Sequence, residues 1–228
     1  MSNKILVVAA HPDDEVLGCG GTIRRLANEG SDIYIAVLSA GVASRYGRGV
    51  VPDPKEIQAM IDVFKAVSLK LGAKDVSVAD YPDNRFDSVS VLDVTKTIEA
   101  CVDRWKPSVI FTHHCSDLNI DHHVTSRAVM TATRPVKGVS VRDIYSFEVP
   151  SSTEWTFGQI QPTFSPNVFY DITDTLQEKI DAMMLYESEL REFPHPRSSK
   201  AIASIAQRWG SAVGVPAAES FQLIRSIV

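Results

Sequence analysis

The chain has 228 residues, 44% hydrophobic and 22% charged, the balance of a soluble globular protein with one sizeable core. Its 23 Lys and Arg against 28 Asp and Glu leave a net charge of −5, and the basic residues are scattered rather than striped, which argues against a nucleic-acid polymer as partner. Cys19, Cys101 and Cys115 show no CxxC spacing, so neither a disulfide framework nor a cysteine-rich zinc knuckle is expected.

The first element is the apolar, β-branched run KILVVA at 4–9, too short for a signal sequence or a membrane span, so a cytoplasmic protein is expected. A helix over 16–28 follows, with Val16, Ile23, Leu26 and Ala27 on one face and Gly30 as its stop. Next come a strand in DIYIAVLSAG at 32–41 and a helix that has Asp53 as N-cap, Pro54 in its first position and Glu56 in its third, closed by Gly72. The pattern repeats with a strand at 75–80, a helix in VSVLDVTKTIEACVDRW at 89–105 and a strand in PSVIFTHH at 107–114. The last third is less regular: a strand within RDIYSFEVP, another at 167–172, a helix over 174–190 started by Asp174, a rigid FPHPRS loop, and a closing helix that ends at Gly210. No repeat or linker divides the chain, so 1–228 is read as a single domain. Strands alternating with amphipathic helices predict an α/β fold whose mostly parallel sheet is covered on both faces. Sites in such folds lie at the carboxyl ends of the strands, which points to 11–15 and 113–123.

Five of the six histidines fall in those two segments: His11, and the group His113, His114, His122 and His123. Imidazole and carboxylate together are the ligand set of zinc and related divalent metals. His11 and Asp14, three apart at a strand-to-helix turn stiffened by Pro12, suit one metal, with Asp13 projecting between them. Helix capping is the competing use, since acids favour the positive end of a helix dipole, and Asp121 would cap a helix over 122–132 in the same way. Capping does not call for imidazoles, however, and two His/Asp clusters at one sheet edge favour a shared metal. Glu15 is left with a structural role, and His195 is read as an ordinary loop residue. GCGG at 18–21 lacks G-x-G-x-x-G spacing and is read as letting the helix pack close to the sheet; G-K-[ST] and G-x-S-x-G are absent, so dinucleotide, P-loop and serine-hydrolase chemistry have no support.

AHPDDE at 10–15 and DLNIDHH at 117–123 resemble the signatures of the PIG-L or LmbE-like zinc-dependent de-N-acetylases, which remove acetyl groups from N-acetylated sugars. SRYGRG, YPDNRFD, YESEL, PRS and AAESF resemble weaker features of that family, so the likeness runs along nearly the whole chain. The resemblance implies a three-layer, Rossmann-like single domain and metal-dependent amide hydrolysis. Carried over, the ligands are His11, Asp14 and His122 and the general base is Asp13, with Zn2+ as the metal or another divalent transition metal in its place.

Where the family often has a histidine, this chain has Asn119, which donates a hydrogen bond but delivers no proton at neutral pH. His113, His114, His123 or protonated Asp13 is then left to protonate the leaving amine. Asp121 is expected to orient a histidine through its free ring nitrogen. Substrate contacts are expected from Arg45, Tyr46 and Arg48 in the loop after the second strand, and from Trp155 and Arg197; a solvated basic loop accounts equally well for the first three. The implied substrate is a small N-acetylated sugar. A sugar nucleotide is preferred, because EVPSSTEW resembles members associated with surface-glycan synthesis and arginine suits phosphate. The alternative is a zinc amidohydrolase acting on a non-sugar N-acyl conjugate or antibiotic intermediate. A homo-oligomer is compatible with this reading.

Overall fold

A computed structural model describes residues 3–47 and 50–228. Strands β1 (Lys4–Ala9), β2 (Asp32–Val37), β3 (Ala73–Val78), β4 (Val109–His113), β5 (Asp143–Phe147), β6 (Val168–Asp171) and β7 (Ala218–Arg225) form one sheet in the order β3-β2-β1-β4-β5-β7-β6. The first five strands run parallel; β7 is antiparallel to both β5 and β6. Period-two alternation explains why the early strands read as continuous apolar runs. Ile5, Val7 and Ala9 enter one buried cluster and Leu6, Val8 and Ala10 the other, and β2 divides its residues in the same way.

Helices α1 (Asp14–Asn28) and α2 (Pro54–Leu71) contribute to the first cluster, while α3 (Val91–Trp105) and α4 (Ile120–Ala132) contribute to the second. Local chemistry sets α2 as expected: Asp53 Oδ1 accepts from the Lys55 N–H at 2.9 Å, and Gly72 closes the helix at φ 96°. The chain leaves β1 for β2 and β3 on one side and returns to β4 on the other. The carboxyl ends of β1 and β4 therefore border the crevice where such sheets bind ligands.

Several boundaries differ from the sequence expectation. Strand β3 begins two residues early, and helix α5 spans only Leu176–Met183, with Thr175 rather than Asp174 at its N-cap position. Helix α6 (Ser199–Val213) runs through Gly210 and ends at Gly214. Gly210 is interior because a Cβ there would lie 2.5 Å from the Val215 carbonyl oxygen; it marks a close packing point, not a stop. The sequence reading had no strand at β7, whose AESFQLIR alternates weakly and pairs only with distant segments. In α1 the glycines do permit close packing: a Cβ on Gly18 would sit 2.3 Å from the Phe147 ring.

Candidate active site

The turn from β1 into α1 is built on an unusual backbone. Asp13 adopts φ 99°, a region that favours glycine, and its side chain does not cap the helix. The capping expectation for HPDDE fails at this residue. Its carbonyl accepts from the N–H groups of Val16 and Leu17 at 3.0 and 2.8 Å, while Asp14 folds back so that Oδ2 accepts from the His11 N–H at 2.9 Å. Glu15 is fully buried and accepts from the Tyr186 hydroxyl at 2.6 Å and the Asp13 N–H at 3.1 Å.

Across the crevice, Asn119 and not Asp121 caps α4, its Oδ1 accepting from the Asp121 N–H at 2.9 Å. Two positions further into the helix, Asp121 points inward to His11, and His122 follows it. One ligand atom each from His11, Asp14 and His122 lies within 4.8 Å of the others. Asp14 Oδ2 is 3.2 Å from His11 Nδ1 and 3.3 Å from His122 Nε2. Carboxylates stand behind both rings: Asp121 at 3.0 Å and Asp83 at 3.3 Å from His11 Nε2, and Asp117 at 3.0 Å from His122 Nδ1. Asp117 is itself held by the hydroxyls of Ser152 and Thr153.

These residues fit a divalent metal on two observations. Both ring nitrogens of His122 are buried without a hydrogen bond, although Asp117 and Asp14 are in ion-pair range. Buried polar atoms of this kind call for a partner. Second, four buried carboxylates face two imidazoles, an anionic excess that a cation balances. Burial alone would lower the pKa of His122, yet the charges of Asp14 and Asp117 outweigh it and raise the group to about 9. The same contest, won by hydrogen bonds to Asp121, Asp14 and Asp83, raises His11.

Asp13 lies beside this group, 2% exposed, and Arg197 Nη1 donates to its Oδ2 at 2.9 Å. Burial raises its pKa to about 7 against the opposing pull of Arg197. Arg197 is braced in turn by Ser151 Oγ at 2.8 Å and Glu189 Oε2 at 3.1 Å.

The other expected residues lie as follows. Arg45 pairs with Glu189, which places it one residue from Arg197, and Tyr46 donates to Glu56 away from the cluster. Arg48 lies outside the described residues. Asn119 turns its Nδ2 to Asn84 Oδ1 at 3.1 Å. His114 faces away: its Nδ1 accepts from the Ser116 N–H and its ring meets Phe164 edge-on. Trp155 packs edge-on against His195, whose Nδ1 accepts from the Arg197 N–H at 3.1 Å. Sequence reasoning assigned no role to Asp83, Asp117 or Glu189. His113, offered from the sequence as a proton donor, has its Nε2 accepting from the Ala10 N–H at 2.8 Å and its ring stacked on His122. The signal for Asp83 was available, because YPD follows a strand at the same sheet edge as HPDD.

Residues 6–133 match the PIG-L family, described as GlcNAc-PI de-N-acetylase. The chain belongs to that family. It is accordingly a de-N-acetylase hydrolase. A probable N-acetyl-alpha-D-glucosaminyl L-malate deacetylase 2 of Bacillus cereus is 26% identical over 195 residues, which cover 83% of this chain and 84% of that protein. The N,N′-diacetylchitobiose deacetylase of Pyrococcus horikoshii is similar in structure at a TM-score of 0.77 and 19% identity, over 98% of this chain and 84% of that one. GalB, the 4-carboxy-2-hydroxymuconate hydratase of Pseudomonas putida KT2440, also matches at a TM-score of 0.77, with 22% identity over 99% of this chain and 98% of that one. At these identities the structural likeness shows the fold alone, and the hydratase illustrates that one fold hosts different reactions. Among the described residues, no helix is long and apolar enough to cross a membrane.

Proposed function

We propose that the protein hydrolyses the amide of a small N-acetylated amino sugar, releasing acetate and the free amine. The observation that carries this reading is Asp13: a buried carboxylate, gripped by Arg197 and adjacent in sequence to Asp14 of the His11–Asp14–His122 group. A divalent metal held by those three residues, zinc or another transition ion, would acidify a water molecule and polarise the acetyl carbonyl. The remaining work falls to the chain's own side chains. Asp13 accepts the proton of the attacking water and returns it to the nitrogen as the C–N bond breaks, so one group serves as base and then acid. A pKa of about 7 makes both of its protonation states available near neutrality. Arg197 fixes one oxygen of that carboxylate; Asp121 and Asp83 orient His11, and Asp117 orients His122. Asn119 is occupied as a helix cap and His114 faces Phe164, so neither is assigned the proton transfer.

The substrate class draws support from the relatives named above, two of which act by name on acetylated glucosamine compounds. Arg45 and Arg197 are both engaged by Glu189, an arrangement that suits a neutral glycoside better than a sugar nucleotide whose phosphate needs a free guanidinium. Mass spectrometry of turnover tests this directly. Methyl N-acetylglucosaminide, a nucleotide-linked N-acetylhexosamine and a non-sugar conjugate such as N-acetylcysteine are each watched for a loss of about 42 Da, acetyl replaced by hydrogen. Loss from the sugars is expected, and loss confined to the non-sugar conjugate would sink the sugar assignment.

A further inference from the structure

A cleft of about 560 Å³ opens between residues 153–164 and helix α6, and nothing in the proposed chemistry uses it. Its volume is that of a small-molecule site, typically roughly 300–1,000 Å³. Phe164, Phe193, Pro194, Pro196, Ile205 and Trp209 supply its apolar lining. Two of these aromatic groups are held for contact rather than packed into the core. Trp209 Nε1 donates to the half-buried Glu148 at 2.5 Å, while the Arg208 guanidinium covers the indole at 4.0 Å. Phe193 is 55% exposed, with the Lys200 ammonium over its ring at 4.3 Å.

Residues that line the cleft contact or adjoin those that support the catalytic centre. Thr153, which lines it, donates to Asp117 Oδ2 at 2.6 Å, and Asp117 faces His122. Pro196, which also lines it, directly precedes Arg197, the residue that reaches Asp13. Glu154, a third lining residue, accepts from the Ser151 N–H at 2.6 Å, and Ser151 braces Arg197. Through Pro196 and Arg197 the cleft adjoins the Asp13 side of the site.

We propose that this cleft is a second subsite, which binds the aglycone of the amino sugar, and that the aglycone it takes is an uncharged aryl or alkyl group. The lining favours that chemistry over an acid or phosphate, because its aromatic and aliphatic side chains form the walls and the two cations beside it, Arg208 and Lys200, are stacked on Trp209 and Phe193. This inference rests on the deacetylase reading above, and its test separates the two.

Acetate release is measured for metal-replete wild type with methyl, 4-nitrophenyl and L-malate glycosides of N-acetylglucosamine, using both anomers. Burial of one aromatic ring predicts a kcat/KM for the 4-nitrophenyl glycoside roughly 10- to 100-fold above that of the methyl glycoside. Filling the cleft with Ile205→Trp or, on its exposed lip, Ser204→Trp should erase that advantage by raising KM, while the methyl glycoside stays within about twofold of wild type. The second variant keeps the test open should the first fold poorly. Equal turnover of aryl and methyl glycosides, preference for the malate glycoside, or equal losses on both substrates in the filled variants would overturn the subsite. Failure to release acetate from any glycoside would instead overturn the deacetylase reading, and the subsite with it.

Discussion

Asp13 combines a left-handed backbone with a buried carboxylate, two placements that each cost free energy, of order 1–3 kcal/mol for the backbone alone. Such a residue persists only where its surroundings over-determine it, and here the Val16 and Leu17 N–H groups hold its carbonyl while Arg197 holds its side chain. Asp13→Asn preserves the shape and removes the carboxylate proposed as the base. It is expected to lower kcat by roughly 10²- to 10⁴-fold with metal content unchanged, and near-normal turnover in a steady-state assay would take Asp13 out of that role. Asp117 acts one step removed, through the ring of His122. For Asp117→Ala, metal titration should show affinity weakened by roughly 10- to 100-fold, whereas wild-type affinity would mean that His122 needs no orienting partner.

Helix α1 shows how an element that looks simple in sequence depends on distant ones. The helix is broken at Cys19, where φ is −149°, and the break frees the N–H groups of Gly21 and Thr22. Glu219 of β7 accepts from both, at 3.0 and 2.7 Å, and is neutralised by the buried Lys179 of α5, whose Nζ also donates to the Leu17 carbonyl. An ion pair from the last third of the chain thus completes the helix that carries Asp14. Lys179→Met leaves the Glu219 carboxylate buried and unpaired, and denaturant melts should report a loss of about 3–5 kcal/mol. A change under 1 kcal/mol would show that the pair contributes little net stability. From the sequence, GCGG suggested close packing, which Gly18 against Phe147 bears out; the kink and its carboxylate were illegible because Glu219 lies about 200 residues away.

At the scale of the whole molecule, the His11–Asp14–His122 group joins the end of β1 to α4 across the crevice, so a metal bound there would cross-link two parts of the sheet edge. Adding zinc at about 100 times its Kd to metal-free protein should contribute about 2.7 kcal/mol, a rise in Tm of roughly 5–10 °C for a chain of this size. His122→Ala should abolish the shift; a shift that survived would place the ion elsewhere. Much of this arrangement was legible from residue order alone. Alternating β and α periodicity determined a parallel sheet covered on both faces, and HPDD and DLNIDHH, each behind a strand, determined which edge carries the chemistry, because both signals are local in the chain. Side-chain direction and long-range pairing were decided by tertiary structure alone. Whether Asn119 or Asp121 caps α4 decides whether the carboxylate is spent on the helix end or faces His11, a matter of two residues of helix start. Strand β7 exists because β5 and β6 offer it partners, and Arg45 and Arg197 are paired with Glu189, which reaches them only after the chain has folded. Periodicity records what a segment buries; it does not record which distant group will meet each polar atom, and that meeting sets the charge, the orientation and the chemistry of the site.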